Sequence, residues 1–157
     1  MTGAGSLTVR EGGPLDLAQV IAIENSSFSD PWSPESLLGE LMGDRLRLPL
    51  VAERAGEVVG FLMAWRVADQ LHVLNIAAAP GCRREGVGTA LLREAARQGL
   101  EQGLLEATLE VRRSNTAGRA FYRRHGFHET GVRPRYYADN GEDAIILDCA
   151  LAGLARD

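Results

Sequence analysis

Apolar positions recur along the chain with two periods, and the changes between them mark out the elements. Residues 7–10 read as a short strand. Leu17, Val20 and Ile21 then share one face of a helical period, which Glu24 continues. Pro14 stands ahead of them, in the first turn, where a helix accepts proline. The stretch Phe28-Ser29-Asp30-Pro31-Trp32-Ser33-Pro34 turns the chain into a second helix, with Ser33 as its cap and Pro34 at its first position. Leu37, Leu38 and Leu41 give that helix an apolar stripe.

Strands are predicted over 48–54 and 58–67, joined by a tight turn at Ala55-Gly56-Glu57. Residues 71–78 form a third apolar run almost free of charge, expected mid-sheet and buried on both faces. After a loop with Pro80 and Gly81, Val87, Leu91, Leu92, Ala95 and Ala96 set a helix over 86–102. A strand over 107–111, a helix over 117–124 and strands over 127–132 and 144–150 complete the order. Early hairpins followed by strand–helix–strand units predict an α/β fold, a mixed central sheet with helices on both faces.

The 157 residues correspond to one domain over 1–157, at about 100–200 residues per domain. Residues 1–6 and 152–157 are expected to be flexible. With 45% hydrophobic and 24% charged residues, wholesale disorder is excluded. Lys+Arg 17 against Asp+Glu 21 gives a net charge of −4. A general nucleic-acid surface would be basic, so direct nucleic-acid binding is not expected. Mild acidity suits a protein that meets a basic partner. Cys82 and Cys149 are too few for a disulfide framework, and no Cys/His set has metal-ligand spacing, so no metal is expected. No apolar run approaches the roughly 20 residues of a membrane span. The start Met1-Thr2-Gly3-Ala4-Gly5-Ser6 lacks the pattern of a signal peptide, which leaves the cytoplasm as the expected location.

The stretch from Leu74 to Leu92 is the most informative. A strand runs into a basic, glycine-bearing turn, and the turn opens a helix. Gly86 and Gly88 remove side chains where a backbone must approach something closely. The free N–H groups of the first helical turn and the helix dipole favour an anion there, phosphate above all, and Arg83 and Arg84 add charge. Gly86 is followed by Val87-Gly88-Thr89, so the lysine of a triphosphate-binding loop is missing. Leu91 stands where a dinucleotide fingerprint needs a small residue. A glycine turn that caps a helix and holds no ligand stays open as the plainer reading.

Arg83-x-x-Gly86-x-Gly88 behind an apolar strand resembles the acyl-CoA pyrophosphate loop of the GNAT N-acetyltransferase superfamily. Asn115-x(6)-Tyr122-x-x-x-Gly126-Phe127 resembles its next landmark. The chain is also similar to the ribosomal-protein-alanine N-acetyltransferase family at five places. These are Phe28-x-x-Pro31-Trp32-Ser33, Leu74-Asn75-Ile76-Ala77, Leu109-Glu110-Val111-Arg112-x-Ser114-Asn115, Arg133-x-x-Tyr136-Tyr137 and Glu142-Asp143-Ala144-Ile145-Ile146. The resemblance implies the GNAT fold, acetyl-CoA as cosubstrate, and a protein N-terminus as acceptor, the alanine of a basic, small-subunit ribosomal protein; a small-molecule amine acceptor on the same fold and a non-catalytic acyl-CoA-binding module stay open as alternatives. It implies that two strands splay apart and that the backbone of Ile76, Ala77 and Ala78 pairs with the pantetheine arm. It also implies that the amides of Arg84, Glu85, Gly86, Val87, Gly88 and Thr89 hold the pyrophosphate beside Arg83, and that Asn115 contacts the cosubstrate near its sulfur.

Direct transfer to an amine needs a base for the amine and an acid for the departing thiolate. Glu110 lies in an otherwise apolar strand, where an ion pair with Arg112 or Arg84 is the plain structural reading. The resemblance implies a general base there. Tyr122 by position alone is a core tyrosine, and the resemblance implies the general acid. Trp32, Tyr136 and Tyr137 are implied to wall the acceptor side. An α-amine has a pKa near ~8 against ~10.4 for lysine, a difference of about 3 kcal/mol at neutral pH, which suits a single carboxylate acting through water. His72 is expected to be a packed strand residue without a role, and His125 and His128 surface residues. Cys82 has no base partner, which argues against a cysteine acyl intermediate.

Overall fold

The computed structural model describes residues 5–155. Strand β1 (Thr8–Glu11) leads through a 3-10 turn (Pro14–Asp16) to α1 (Leu17–Ser27) and α2 (Pro34–Leu41). Strands β2 (Arg47–Arg54), β3 (Glu57–Val67) and β4 (Gln70–Ala78) follow. A second 3-10 turn (Pro80–Cys82) precedes α3 (Val87–Glu101), then β5 (Glu106–Arg112), α4 (Thr116–Arg124), β6 (His128–Arg133), β7 (Ala144–Ala150) and α5 (Leu151–Leu154).

The seven strands form one sheet in the order β1-β2-β3-β4-β5-β7-β6. Only β4 and β5 run parallel, so the sheet is mixed as expected. The β2–β3 hairpin closes on Ala55 (φ 53°) and Gly56 (φ 82°), the pair of left-handed residues that a two-residue turn needs to match strand twist. Strand β3 is buried on both faces from Val58 to Ala64. Val59, Leu62 and Ala64 face a core under α3 and α5 with Leu91, Leu92 and Leu151. Val58, Phe61 and Met63 face a second core under α1 and α2 with Val20, Ile23, Leu37 and Leu41. The helices therefore cover both faces.

Caps fix where the helices begin. The Ser33 hydroxyl accepts the Ser36 amide at 3.1 Å, and Pro34 takes the first position of α2. Leu37 and Leu41 of its stripe are buried, whereas Leu38 is exposed. In α1 the buried face is Val20, Ile23 and Glu24, with Leu17 and Ile21 only partly covered. Residues 152–154, expected to be flexible, belong instead to a helical turn anchored by Leu151 and Leu154 in the first core. Residues 1–4 and 156–157 lie outside the described residues.

The feature that positions the site is a divergence of β4 from β5. The two pair only from Gln70↔Glu106 to Val73↔Leu109. Beyond that, β4 stays with β3 as far as Ala78, with a bulge between the Met63↔Asn75 and Ala64↔Val73 pairs, and β5 stays with β7 as far as Arg112. The expectation that 71–78 is buried on both faces is corrected here. Leu74, Asn75, Ile76 and Ala78 are only half-buried, because they border the opening between the strands.

Two glycines test this packing with opposite signs. A Cβ at Gly60 would overlap Val87 Cγ1 under the first turn of α3 and approach the Ala77 carbonyl to 3.0 Å. Overpacking of this kind costs about 1–3 kcal/mol, so Gly60→Ala is expected to lower the melting temperature by about 2–12 °C. Gly39 is exposed inside α2 with nothing near it. Gly39→Ala is expected to raise the melting temperature, since alanine is favoured in a helix by about 1 kcal/mol. Both are read by thermal unfolding.

Candidate active site

The opening between β4 and β5 is a cleft of about 700 Å³. Leu74 to Ala78 form one wall and Leu109 to Arg112 the other. Asn115, Phe121 and Tyr122 close it from α4, Glu24 and Trp32 from the α1 side, and Tyr137 from the loop after β6. At Ala78, Arg84, Gly88 and Phe121 it continues into a groove over the start of α3, bordered also by Thr89, Arg124 and His125.

The groove is built from a helix start with unused donors. Arg84 (φ 64°) and Gly86 (φ 84°) are both left-handed, and the chain enters α3 without a side-chain cap. The first helical bond runs from the Ala90 amide to the Gly86 carbonyl at 2.9 Å, so the amides of Val87, Gly88 and Thr89 have no partner within the helix. Gly86 is demanded by its backbone, since a Cβ there would meet nothing within 4 Å. Gly88 is demanded by a neighbour: its Cβ would lie 2.9 Å from Phe121 Cζ. Arg83 donates to the Ala78 carbonyl at 3.3 Å and the Ser27 hydroxyl at 3.1 Å, tying the loop to the end of α1. Glu85 is paired with Arg54 at 2.6 Å. Among the described residues Arg84 makes no ion pair, and Arg83 bonds only to neutral oxygens, so both charges are available to an anion at the loop.

His125 is a correction. It is half-buried rather than a surface residue: Nδ1 donates to the Phe121 carbonyl at 2.8 Å, and Nε2 is hydrogen-bonded with the Thr89 hydroxyl at 2.9 Å. This pins the end of α4 to the start of α3. Asn115 caps α4, its Oδ1 accepting the Gly118 amide at 2.9 Å, and its Nδ2 is unpaired among the described residues. Gly118 is needed for that fold-back, because a Cβ there would stand 2.5 Å from Asn115 Nδ2.

Within the cleft Glu110 and Tyr122 differ sharply in surroundings. Tyr122 is buried, stacked edge-on against Phe121 and Phe127 with centroids 5.3 and 5.4 Å away. Burial pushes its phenol well above the ordinary tyrosine range, so it keeps its proton throughout the neutral region. The Glu110 carboxylate has partners, but neither Arg112 nor Arg84 is among them. Arg133 Nε stands 2.6 Å from Oε2, and the Tyr136 hydroxyl donates to Oε1 at 3.4 Å. His72, expected to be merely packed, presents Nε2 3.6 Å from Oε1. Arg112 is engaged elsewhere, with Asp139 at 3.0 Å and over the Tyr137 ring at 4.0 Å. Burial pushes the Tyr137 phenol up to about 12.

The loop carrying both tyrosines is fastened down. The Tyr136 and Tyr137 amides both donate to the Glu142 carbonyl at 3.1 Å, and the Glu142 carboxylate accepts the Ser114 amide at 2.6 Å. Asp143 accepts the Arg135 amide at 3.0 Å and pairs with Arg113 at 3.2 Å. Trp32 lines the opposite side through a contact invisible in the sequence: its amide donates to Glu24 Oε2 at 2.8 Å. The sequence reading also missed Asn75, Phe121, Arg124 and Arg133 as site residues. No group of three or more metal-ligating side chains occurs among the described residues.

Comparison with known proteins matches residues 17–127 to the Acetyltransferase (GNAT) family. The putative ribosomal protein bS18-alanine N-acetyltransferase of Bacillus subtilis (strain 168) is 37% identical over 132 residues, 84% of this chain and 87% of that protein. The ribosomal protein bS18-alanine N-acetyltransferase of Escherichia coli (strain K12) is 35% identical over 134 residues, 84% of this chain and 89% of that protein. The crystal structure of the ribosomal-protein-S18-alanine N-acetyltransferase from Escherichia coli superposes with a TM-score of 0.84 at 32% identity, covering 93% of this chain and 94% of that one.

The two duties of Asn115, capping and presenting an amide to the cleft, separate by substitution. Asn115→Ala removes the cap, a loss of about 1 kcal/mol, expected to lower the melting temperature by about 2–4 °C. Asn115→Asp keeps an acceptor at a helix N-terminus and is expected to melt close to the native protein. Thermal unfolding of both variants checks this.

Proposed function

The chain belongs to the acetyltransferase (GNAT) family and is an N-acetyltransferase; from that premise we propose that it moves the acetyl group of acetyl-CoA directly to the N-terminal α-amine of a protein. The acceptor is the N-terminal alanine of a small-subunit ribosomal protein, the substrate type named for its relatives in Bacillus subtilis and Escherichia coli. Such a partner is basic, and the net charge of −4 is complementary to it.

The observation that carries this reading is the gap itself: an open strand edge with a carboxylate on one wall and a buried phenol beside it. The cosubstrate fits the residues present. The unpaired edge of β4 over Ile76, Ala77 and Ala78 can take the amide-bearing pantetheine arm as an added strand. The free amides at the start of α3, with Arg84 and Arg83, suit a pyrophosphate. When bound, acetyl-CoA supplies an activated thioester.

The residues then divide the proton work. An α-ammonium group enters between Trp32, Tyr136 and Tyr137 and loses its proton to Glu110 through a water molecule. The neutral amine forms the new C–N bond as the C–S bond breaks, and the second proton its nitrogen sheds on becoming an amide leaves through the same water to solvent. Tyr122 gives its phenolic proton to the departing sulfur and recovers it from solvent. Arg133 and Tyr136 hold the Glu110 carboxylate in place. No covalent enzyme intermediate is needed. Cys149 is buried, and Cys82 does not border the cleft between β4 and β5.

Three outcomes follow. Any side chain at position 88 displaces Phe121 at the junction of cleft and groove. Gly88→Val is therefore expected to weaken acetyl-CoA binding at least about tenfold in calorimetry, or 1.4 kcal/mol. Tyr122→Phe keeps the ring and deletes the donor; kcat is expected to fall about 100-fold. The Tyr122 loss is expected to stay constant from pH 6 to 9, because the phenol's elevated pKa keeps it protonated across that range. Glu110→Gln is expected to reduce kcat/KM for the amine most at low pH. Its deficit shrinks as pH rises and free amine accumulates. Steady-state acetylation of an Ala-initiated peptide, with small amines as the competing acceptor class, measures both. Near-native kcat in both variants across that range removes the acid and base assignments, and faster turnover of the small amines removes the acceptor.

A further inference from the structure

We propose that Glu24 is a positioning residue for the acceptor: its carboxylate holds the loop that carries Trp32 against the strand that carries Asn75, and so fixes one wall of the cleft. This rests on the acetyltransferase reading above only for the identity of the acceptor. Glu24 is 1% exposed and has no cationic partner among the described residues. Its two oxygens are each used once. Oε2 accepts the Trp32 amide at 2.8 Å, and Oε1 accepts Asn75 Nδ2 at 2.7 Å. The three groups come from three elements, α1, the α1–α2 loop and β4, and all three residues border the cleft.

A buried carboxylate without a cation is an expensive choice for stability alone, and well-packed neutral substitutes for buried charges are often as good or better. What the carboxylate offers and a neutral side chain does not is two acceptors at once. Both of its partners are donors. A glutamine offers one acceptor and one NH₂, so it satisfies the Trp32 amide only if Asn75 turns its own amide over to present Oδ1. The backbone next to Asn75 is also the bulged, half-open part of β4, where the strand has no neighbour on the β5 side. Glu24 thus joins the loop to an interior stretch of sheet whose position is not fixed by a ladder on both sides. Burial raises the Glu24 carboxyl above its ordinary range, and the two hydrogen bonds oppose that rise. The same end of α1 is bound from below by Arg83, through the Ser27 hydroxyl and the Ser26 carbonyl. Glu24 is therefore the acceptor-side half of a junction whose other half reaches the anion loop.

The test compares wild type, Glu24→Gln, Glu24→Ala and the double variant Glu24→Gln/Asn75→Asp, which exchanges donor for acceptor at one contact. Two quantities are read: the hydrogen-exchange rate of the Trp32 backbone amide by NMR, and the KM values for an Ala-initiated peptide and for acetyl-CoA. Loss of a hydrogen bond to a charged group is worth about tenfold or more in an equilibrium. In Glu24→Ala the Trp32 amide is expected to exchange at least about tenfold faster. The peptide KM is expected to rise by a similar factor, with acetyl-CoA KM within about twofold. Glu24→Gln is expected to fall between, and the double variant to recover Trp32 protection. Glu24→Gln carries the test alone if the alanine variant does not fold. Unchanged Trp32 exchange and unchanged peptide KM in folded variants overturn the proposal, as does an equal rise in both KM values. A wild-type protein that acetylates no N-terminal peptide removes the acceptor reading. In that case the Trp32 exchange rate still decides whether Glu24 holds the loop.

Discussion

Beyond Val73 the fourth strand has a partner on one side only, and the rest of the molecule is arranged around that open edge. Unpaired backbone donors and acceptors on a strand edge invite another chain, so native sheets normally cover them. Here the edge lies inside the sheet, where no second sheet can reach it. The bulge at Leu74 and the full pairing of β5 with β7 keep the two strands apart, while α4 and the α1–α2 loop wall the gap without filling it. The opening, about 700 Å³ in volume, leads to a helix start with three amides unused within the helix. Shape and hydrogen-bonding capacity together define the ligand class more narrowly than the glycine loop alone.

Side chains of both charges border this path, with Arg83, Arg84 and Arg112 in the cleft beside its carboxylates. Arg84 and Arg124 border the groove at the anion end, and the carboxylates Glu24 and Glu110 border the cleft. At Glu110 the exposed guanidinium of Arg133 occupies the position of a counter-ion.

Local rules were legible in the sequence. Ser33 and Pro34 start α2 and the Gly86-Val87-Gly88 loop opens α3, because caps and turns depend on neighbours a few residues away. The mixed sheet followed from counting elements. The half-exposure of β4 did not, since an apolar run reads alike whether it borders a core or a cleft. Glu24 was hidden because a glutamate four residues after Val20 looks like the edge of a solvent face. The Arg133 partner of Glu110 was hidden for a topological reason. The strand order β5-β7-β6 brings residue 133 across an intervening strand, whereas the sequence offered only nearer arginines. The role of Gly88 was half legible: the missing side chain was expected to clear a ligand, and Phe121 occupies the space. Tyr122 was read as a core tyrosine or an acid; it is buried and borders the cleft.

The most direct test of the account is amide hydrogen exchange with and without acetyl-CoA. The account predicts slower exchange confined to two segments, the unpaired amides within 74–78 and the free amides of 87–89, with α2, β1 and β2 unchanged. Protection that bypasses residues 74–78, or none in either segment at saturating acetyl-CoA, would contradict the claim that the gap between β4 and β5 is where transfer takes place.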